Sequence, residues 1–226
     1  MRFHIAWLAA AAALTLAGCT GGRTGLPNAA SAFGREPAGA SPTLYVADAW
    51  GKAVERVVSG TARKIGRDWY QPWGVACDAK GNVYVADNWA NKIVRIASNG
   101  AMTEIKPGVF KGAAGVVADG HGNIYVASYV NGWTGGAIAK ISSNGALTRL
   151  AKSLKMTEPR AIAIDDLGNL YVVDPHWTNI AKVAPNGKIS RVGSGFYFPT
   201  GVAVDRRRNV YVVNGRGDLY KVTPRA

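Results

Sequence analysis

The segment Gly74-Val-Ala-Cys-Asp78, a three-residue turn and the segment Asn82-Val-Tyr-Val-Ala-Asp87 form a unit that recurs along the chain. Its aligned tyrosines lie 39, 41, 46 and 40 residues apart, and they are Tyr45, Tyr84, Tyr125, Tyr171 and Tyr211. Short strands in a repeat of about 40 residues are typical of propeller blades, whereas solenoid repeats of that length are mostly helical. The first copy begins only at Thr43 and lacks the leading segment.

Each unit is predicted to form four strands, which we call a to d. Strand a is the small apolar run that ends in Asp, and strand b is the Tyr-Val run, rich in β-branched and aromatic residues. Strand c has an apolar-x-basic-apolar pattern, as in Ile93-Val-Arg-Ile96, and a hairpin turn such as Asn99-Gly100 leads to the polar strand d. The pattern predicts an all-β propeller of about five four-stranded antiparallel blades, with six as the alternative, and with strand a nearest the axis. The first copy lacks a strand a and the last lacks a strand d.

Two of the copies resemble NHL-type β-propeller repeats. They are Pro72-Trp-Gly-Val-Ala-Cys-Asp78 with Gly81-Asn-Val-Tyr-Val-Ala-Asp87, and Pro199-Thr-Gly-Val-Ala-Val-Asp205 with Asn209-Val-Tyr-Val-Val-Asn214. The resemblance extends from about Pro42 to Val222. It implies the fold but little about function, because such propellers include lyases, lactonases, sensor domains and binding modules.

The first residues have the pattern of an export signal. Arg2 precedes an apolar run from Ile5 to Leu16, which is shorter than the roughly 20 residues that a membrane-spanning helix needs. The run ends in Leu16-Ala-Gly-Cys19, which resembles a bacterial lipoprotein signal; an ordinary secretory signal is the alternative. We therefore expect a signal peptide over 1–18, a lipid on Cys19, a linker over 19–41 and the propeller over 42–226. A lipid-anchored protein of the outer membrane, periplasm or cell surface follows.

The charge of the chain favours anionic partners. Its 226 residues carry a formal net charge of +13, and positive charge attracts phosphate-bearing lipids, acidic polysaccharides and nucleic acids. Export makes nucleic acid an unexpected partner. The expected partners are therefore the membrane, through the lipid, and an anionic polysaccharide or a protein.

The two ends of a propeller of this kind differ. The b–c loops and d–a links emerge at one end, and they contain the aromatic residues together with several basic ones. Flat aromatic rings bind sugars and other flat ligands at small entropic cost. The predicted ligand-binding residues are Trp50, Trp73, Trp89, Trp133, Trp177, Tyr70, Tyr197, Lys92 and His176. The alternative is that the tryptophans fold over the blades and seal the core.

Few residues suggest catalysis, and we predict no catalytic residue, metal or cofactor. His121 and His176 are assigned to opposite ends, which excludes a zinc site with several histidines. The alternative function, a metal-dependent propeller lyase or lactonase, would depend on Glu158 and His176. The aspartates that end strands a and b are predicted to form Asx turns rather than a cation site. Cys77, at an apolar inner-strand position, is expected to be a buried small hydrophobe.

Overall fold

The computed structural model describes residues 14–19, 43–129, 135–151 and 154–223, with the backbone alone for 14–19. Nineteen strands in these ranges form five antiparallel sheets that pack side by side in chain order. The all-β propeller with five blades is therefore confirmed. Within the described ranges, no helix has the length and apolar character needed to cross a membrane.

The strands have the following bounds. Blade 1 contains β1 (Leu14–Cys19), β2 (Thr43–Asp48), β3 (Ala53–Val58) and β4 (Thr61–Lys64). Blade 2 contains β5 (Pro72–Cys77), β6 (Val83–Asp87), β7 (Lys92–Ile96) and β8 (Met102–Ile105). Blade 3 contains β9 (Ala113–Ala118), β10 (Ile124–Ser128), β11 (Ala137–Ile141) and β12 (Leu147–Leu150). Blade 4 contains β13 (Ala161–Ile164), β14 (Leu170–Val173), β15 (Ile180–Val183) and β16 (Ile189–Val192). Blade 5 contains β17 (Pro199–Val204), β18 (Val210–Asn214) and β19 (Leu219–Val222).

Burial within a blade follows the predicted order of the strands. In blade 2, β6 is buried throughout, whereas three of the four residues of β8 are exposed. The inner strands of successive blades approach so closely that a Cβ on Gly74 would clash with the carbonyl oxygen of Ala114. A Cβ on Gly115 would lie 3.1 Å from the carbonyl oxygen of Arg160. Small residues are therefore required where the inner strands converge.

The opposite end from the b–c loops, which we call the tight-turn face, has the same hydrogen-bond network in four blades. In blade 2, the Asp78 carboxylate accepts from the backbone N–H groups of Lys80 and Asn82, both at 2.9 Å. Its other oxygen accepts from the Asn82 amide at 2.7 Å and the Tyr84 hydroxyl at 2.9 Å. The corresponding aspartates are Asp119, Asp165 and Asp205. The predicted Asx turns are confirmed. They explain why Asp, Asn and Tyr recur at the same positions in these four copies of the repeat.

These networks change the chemistry of their tyrosines. Burial, followed by the nearby Asp78 carboxylate, raises the pKa of Tyr84 to about 12. Burial and Asp119 likewise raise the pKa of Tyr125 to about 12. The tyrosine of blade 4, Tyr171, has its pKa raised by burial and Asp165. Each hydroxyl therefore remains a proton donor to its aspartate well above neutral pH.

Four apolar clusters fill the spaces between successive blades. They lie between blades 1 and 2, blades 2 and 3, blades 3 and 4, and blades 4 and 5. Cys77 is buried in the cluster between blades 1 and 2. The sulfur of Cys77 is, however, disulfide-bonded, and its partner is not among the side chains that the structure describes. The expectation of a simple buried hydrophobe is wrong in this respect.

The first and last blades depart from the regular pattern. Within the described residues blade 5 has three strands and no strand d, in line with the prediction. Blade 1, in contrast, has an innermost strand, because β1 pairs antiparallel with β2, from Leu14 opposite Asp48 to Cys19 opposite Thr43. Sequence analysis expected no strand there and assigned most of these residues to a signal peptide.

Candidate ligand-binding face

The loop-rich face consists of the b–c loops after β2, β6, β10, β14 and β18 and the d–a links before β5, β9, β13 and β17. Trp50, Trp89 and Trp177 lie in its b–c loops, Trp69 lies in the first d–a link, and Trp73 follows at the start of β5. Trp133 lies outside the described residues. The five described tryptophans therefore belong to one end of the propeller.

An exposed aromatic platform lies at blades 1 and 2 of this face. The rings of Tyr70 and Trp89 are stacked, with centroids 6.1 Å apart and an interplanar angle of 27°. The ammonium group of Lys52 lies 4.9 Å from the centre of the Tyr70 ring. Tyr70 and Trp89 are 54% and 63% exposed, and Trp50, in the loop that contains Lys52, is 64% exposed. We call Lys52, Tyr70 and Trp89 the outer platform.

A buried carboxylate fixes the link that contains Tyr70. Asp87, the last residue of β6, is fully buried and accepts from the backbone N–H groups of Tyr70 at 2.9 Å and Gln71 at 2.7 Å. Asp174 does the same in blade 4, accepting from the N–H groups of Thr157 and Glu158. Asp48 binds its own loop, as expected, but Asp87 holds the preceding link. These carboxylates position the face rather than present oxygen atoms to solvent.

β-Bulges interrupt the start of the inner strand in blades 2, 3 and 5. The pairing of β5 with β6 skips Trp73, because Pro72 lies opposite Asp87 and Gly74 opposite Ala86. A similar skip occurs at Thr200 in blade 5. A bulge adds an unpaired residue and re-aims its side chain. The aligned residue of blade 4, just before β13, is Arg160.

Trp73 and four side chains of blades 3 and 4 lie together in what we call the axial cluster: Trp73, Tyr129, Glu158, Arg160 and His176. The Trp73 and Tyr129 rings lie 6.3 Å apart at an angle of 45°. The Arg160 guanidinium carbon is 5.6 Å from the centre of the Trp73 ring. Side chains from blades 2, 3 and 4 therefore meet at this end of the axis.

An acid–base chain runs through the axial cluster. The Nε and Nη2 atoms of Arg160 donate to Glu158 Oε1 at 2.9 and 2.7 Å. The second carboxylate oxygen of Glu158 lies 3.4 Å from His176 Nε2. On its other side the guanidinium lies 5.2 Å from the Phe198 ring of blade 5. Because Arg160 is held by one carboxylate and two aromatic rings, it is positioned before any ligand arrives.

Two polar groups near the cluster add to its chemistry. The Tyr129 hydroxyl donates to Asn88 Oδ1 at 3.0 Å, and burial raises the pKa of Tyr129, an effect that the hydrogen bond to Asn88 partly offsets. Gln71, two residues before Trp73, is 7% exposed. Its Oε1 is the one buried side-chain oxygen or nitrogen in the described part of the chain without a hydrogen-bond partner. A buried acceptor without a donor is costly, and it marks a place where a ligand or water would be stabilised.

A further exposed pair lies at blade 5. The Arg216 guanidinium carbon is 4.1 Å from the centre of the Tyr197 ring, which is 58% exposed.

Lys92 is half-buried, begins β7 and lies opposite Asp87 in the ladder. His176 joins the axial cluster. The structure therefore groups the predicted residues into three patches rather than one.

Two tryptophans seal the core, as the alternative predicted. Trp69 is 8% exposed and donates its ring N–H to the Ile65 carbonyl at 3.1 Å. Trp177 packs on the cluster between blades 3 and 4, with the Arg191 guanidinium carbon 4.1 Å from its ring centre. Trp177 thus has a packing role, and the ligand binding predicted for it stays a prediction. Trp50, Trp73 and Trp89 retain accessible ring surface.

Sequence reasoning missed the central residue, Arg160. The signal was present, because Arg160 aligns with Trp73 as the residue before the small residue of strand a. Its contacts with Glu158, Trp73 and Phe198 have no signature in the sequence alone. Among the described side chains, no group of three or more His, Cys, Asp or Glu residues is placed to hold a metal ion.

Comparison with known proteins agrees with this architecture. The chain is a five-bladed β-propeller. Residues 70–96, which form most of blade 2, match the NHL repeat. The chain is thus a propeller that contains an NHL repeat. No curated protein matches it significantly.

Several solved structures share the fold. Virginiamycin B lyase from Staphylococcus aureus is 16% identical with a TM-score of 0.61, over 80% of this chain and 66% of that chain. A gluconolactonase from Xanthomonas campestris is 18% identical with a TM-score of 0.64, over 80% of this chain and 72% of that chain. A chain of a nidogen/laminin complex is 19% identical with a TM-score of 0.67, over 76% of this chain and 67% of that chain.

These similarities concern the fold alone, because the identities are low. A streptogramin B lyase structure is covered over 64% of its length, so the chain spans less than two thirds of the two lyases. The similar structures include both enzymes and a binding complex. The function must therefore be argued from the residues of this chain.

Proposed function

We propose that this protein is a non-catalytic binding module that takes an anionic glycan on its loop-rich face. The observation that carries the proposal is the outer platform, in which an exposed Tyr70–Trp89 stack has the Lys52 ammonium group beside it. Aromatic rings bind the apolar faces of sugars, and an adjacent cation binds a sugar carboxylate or sulfate. The side chains need little reorganisation, because Asp87 fixes the link that contains Tyr70.

The rest of the face supports a ligand longer than one sugar. The axial cluster offers a second aromatic surface at Trp73 and a cation at Arg160, and the Tyr197–Arg216 pair offers a third. The net charge of +13 would attract a polyanion over a longer range. A protein is the alternative ligand of the same face, and one similar structure belongs to a nidogen/laminin complex.

Calorimetric titration with polygalacturonate, an acidic polysaccharide, tests the proposal. The protein should bind at low salt and lose most of its affinity at high salt, because salt screens the cation contacts. Trp89→Ala should abolish most of the binding. Leu167→Ala is the matched control, since Leu167 is 58% exposed in a turn of the opposite face. Equal binding by both variants would contradict the proposal, whereas binding of a protein partner but of no acidic glycan would favour the alternative ligand.

We also propose that the module is anchored to the cell envelope by a lipid on Cys19. The proposal is supported by the sequence Leu16-Ala-Gly-Cys19 after an apolar run. Cleavage before Cys19 would remove most of β1, so the anchored form would leave the inner edge of β2 to another segment. A lipid would also occupy the thiol of Cys19. Cys77, the other cysteine of the chain, could then form no disulfide with it.

Mass spectrometry of the protein from membranes tests the anchor. A diacylglyceryl-modified N-terminal Cys19 is the expected result, and Cys19→Ser should release the protein from the membrane fraction. An intact N-terminus together with a disulfide between the two cysteines would contradict this proposal without affecting the binding face.

The pair formed by Glu158 and His176 favours an enzyme as the second candidate, because a carboxylate and an imidazole 3.4 Å apart near the axis can exchange a proton. A lyase or lactonase acting at the axial cluster would lose activity in Glu158→Gln. Turnover of a lactone or an acidic glycan by the wild-type protein, lost in this variant, would support the enzyme over the binding module.

A further inference from the structure

Among the strands that the structure describes, none pairs with the outer edge of the last blade. In blades 1 to 4, strand c pairs with a strand d; these pairs are β3–β4, β7–β8, β11–β12 and β15–β16. In blade 5 the strand c, β19, pairs with β18 on one side, and no strand of the described ranges pairs with its other side. The backbone N–H and C=O groups on that side are a template for an added strand.

Three of the four complete blades, blades 2, 3 and 4, share an order of residues along strand d. Their d strands read Met-Thr-Glu-Ile, Leu-Thr-Arg-Leu and Ile-Ser-Arg-Val, over 102–105, 147–150 and 189–192. Each has an apolar residue at both ends, Ser or Thr second and a charged residue third. Blade 1 departs from this order, since β4 reads Thr-Ala-Arg-Lys and its Arg63 lies opposite Arg56.

The register gives each position a reason. The Ser or Thr lies opposite the basic residue of strand c in all three blades, as Thr148 does opposite Lys140. The final apolar residue lies opposite the first apolar residue of the c pattern, as Leu150 does opposite Ile138, and it packs against the core. In β19 the corresponding residues are Lys221 and Leu219.

The exposed fractions show that blade 5 is incomplete at these positions. Leu219 is 67% exposed, whereas the equivalent Ile93, Ile138 and Ile180 are each 0% exposed. On the same side of the sheet, Val213 is 39% exposed, and its equivalents in blades 2 to 4 are 0% exposed. An apolar strip that is covered in blades 2, 3 and 4 is therefore open in blade 5.

We infer that β19 binds an extended segment of a partner protein by strand addition, and that this segment has the order apolar, Ser or Thr, charged, apolar. The segment would run antiparallel to β19, with its hydroxyl residue opposite Lys221 and its last apolar residue over Leu219. Main-chain hydrogen bonds would supply affinity, and the two apolar positions would supply selectivity. An acidic residue at the third position suits a chain with a net charge of +13. This surface is separate from the loop-rich face.

The probe for the test is a synthetic peptide with the sequence of residues 101–106, Ala-Met-Thr-Glu-Ile-Lys, acetylated, amidated and labelled with a fluorophore. Fluorescence anisotropy against the full chain should show saturable binding. A peptide with N-methyl groups on the residues that face β19 should not bind, because it keeps the side chains but loses the donors. Binding of both peptides alike would overturn strand addition.

Variants locate the site. Leu219→Asp should weaken binding roughly tenfold or more, since it removes one buried apolar contact. Leu167→Asp, an equally exposed leucine on another blade, should bind like the wild type, and so should Trp89→Ala. Circular dichroism would show that the exposed substitutions leave the fold intact. Hydrogen exchange should slow at 219–222 when the peptide binds.

Three outcomes would overturn the inference. The first is the absence of saturable peptide binding, and the second is unchanged binding by Leu219→Asp. The third is a dimer, seen by sedimentation, in which a second copy of the chain already pairs with β19 and keeps the peptide out. If residues 20–42 of the same chain filled the edge, the peptide would also fail to bind. In none of these cases would the glycan proposal be affected, because its titration uses a different face.

Discussion

The two ends of this propeller differ in how they use their polar and aromatic side chains. On the tight-turn face, four aspartates satisfy four donors each within their own blade, so the same network recurs with hardly any variation. On the loop-rich face the aromatic and basic side chains differ from blade to blade, and rings and cations remain exposed. Repetition in this fold therefore marks stability, and asymmetry marks the surface available for binding.

The largest effect that would test this contrast is alkaline destabilisation from the tight-turn face. The pKa values of Tyr84 and Tyr125 are raised to about 12 in the folded protein, and that of Tyr171 is raised as well. Since the unfolded tyrosines lose their protons near their ordinary pKa, the unfolded state binds fewer protons above about pH 10. The free energy of unfolding should be constant below that pH and fall between about 10 and 12. Urea unfolding across this range, with tyrosinate absorbance at each pH, measures it. Ionisation of every tyrosine near pH 10 in a protein that stays folded would contradict the expectation.

Removal of one aspartate should have the next largest effect. Asp165→Ala should lower the free energy of unfolding by about 3 kcal/mol, because it leaves the buried Asn169 amide and Tyr171 hydroxyl without an acceptor. Asp166→Ala is the control, since the neighbouring Asp166 is exposed. Urea denaturation of both variants gives the comparison. A loss of stability together with an equal loss of glycan binding would show that the two ends are not independent.

The close approach of the inner strands gives a smaller effect. Gly74→Ala should destabilise the protein by about 2 kcal/mol, because its Cβ would clash with the carbonyl oxygen of Ala114. Gly201→Ala, at the aligned position of blade 5, should be nearly neutral, since the nearest atom to its added Cβ is 3.7 Å away. Thermal unfolding distinguishes them. Equal losses would mean that blade 5 is packed as tightly as blade 2.

The smallest effect on stability should come from the exposed tryptophan. Trp89→Ala should change the free energy of unfolding by no more than about 0.5 kcal/mol, because Trp89 is 63% exposed. Trp177→Ala should cost more, since Trp177 packs on the core between blades 3 and 4. Binding of polygalacturonate should change in the opposite order. The outer platform would lose its role in binding if Trp177→Ala bound less ligand than Trp89→Ala.

The repeat explains why the fold could be predicted. Strand b and its Asp, Asn and Tyr neighbours interact within one blade, so their spacing in sequence carries the structure. Five blades, the missing strand of blade 5 and the small residues at the axis all followed from aligning the copies. The first strand did not, because the pairing of Leu14–Cys19 with β2 joins segments whose patterns suggest different roles.

The binding face could be predicted only in part. The exposed Trp50 and Trp89 were recognisable because loops carry them, but Trp177 lies in an equivalent loop and packs on the core instead. That difference depends on contacts with neighbouring blades, and the sequence alone does not show which side chains of two blades meet. Arg160 was missed because contacts with Trp73 and Phe198, from two other blades, give it its place.

The most direct test of the account is a hydrogen-exchange footprint of the protein with polygalacturonate bound. The account predicts slower exchange in the loop-rich face, at residues 69–73, 88–92 and 157–160, and no change in the turns at 79–82, 120–123 and 206–209. Protection of those turns, with the loops unchanged, would contradict it.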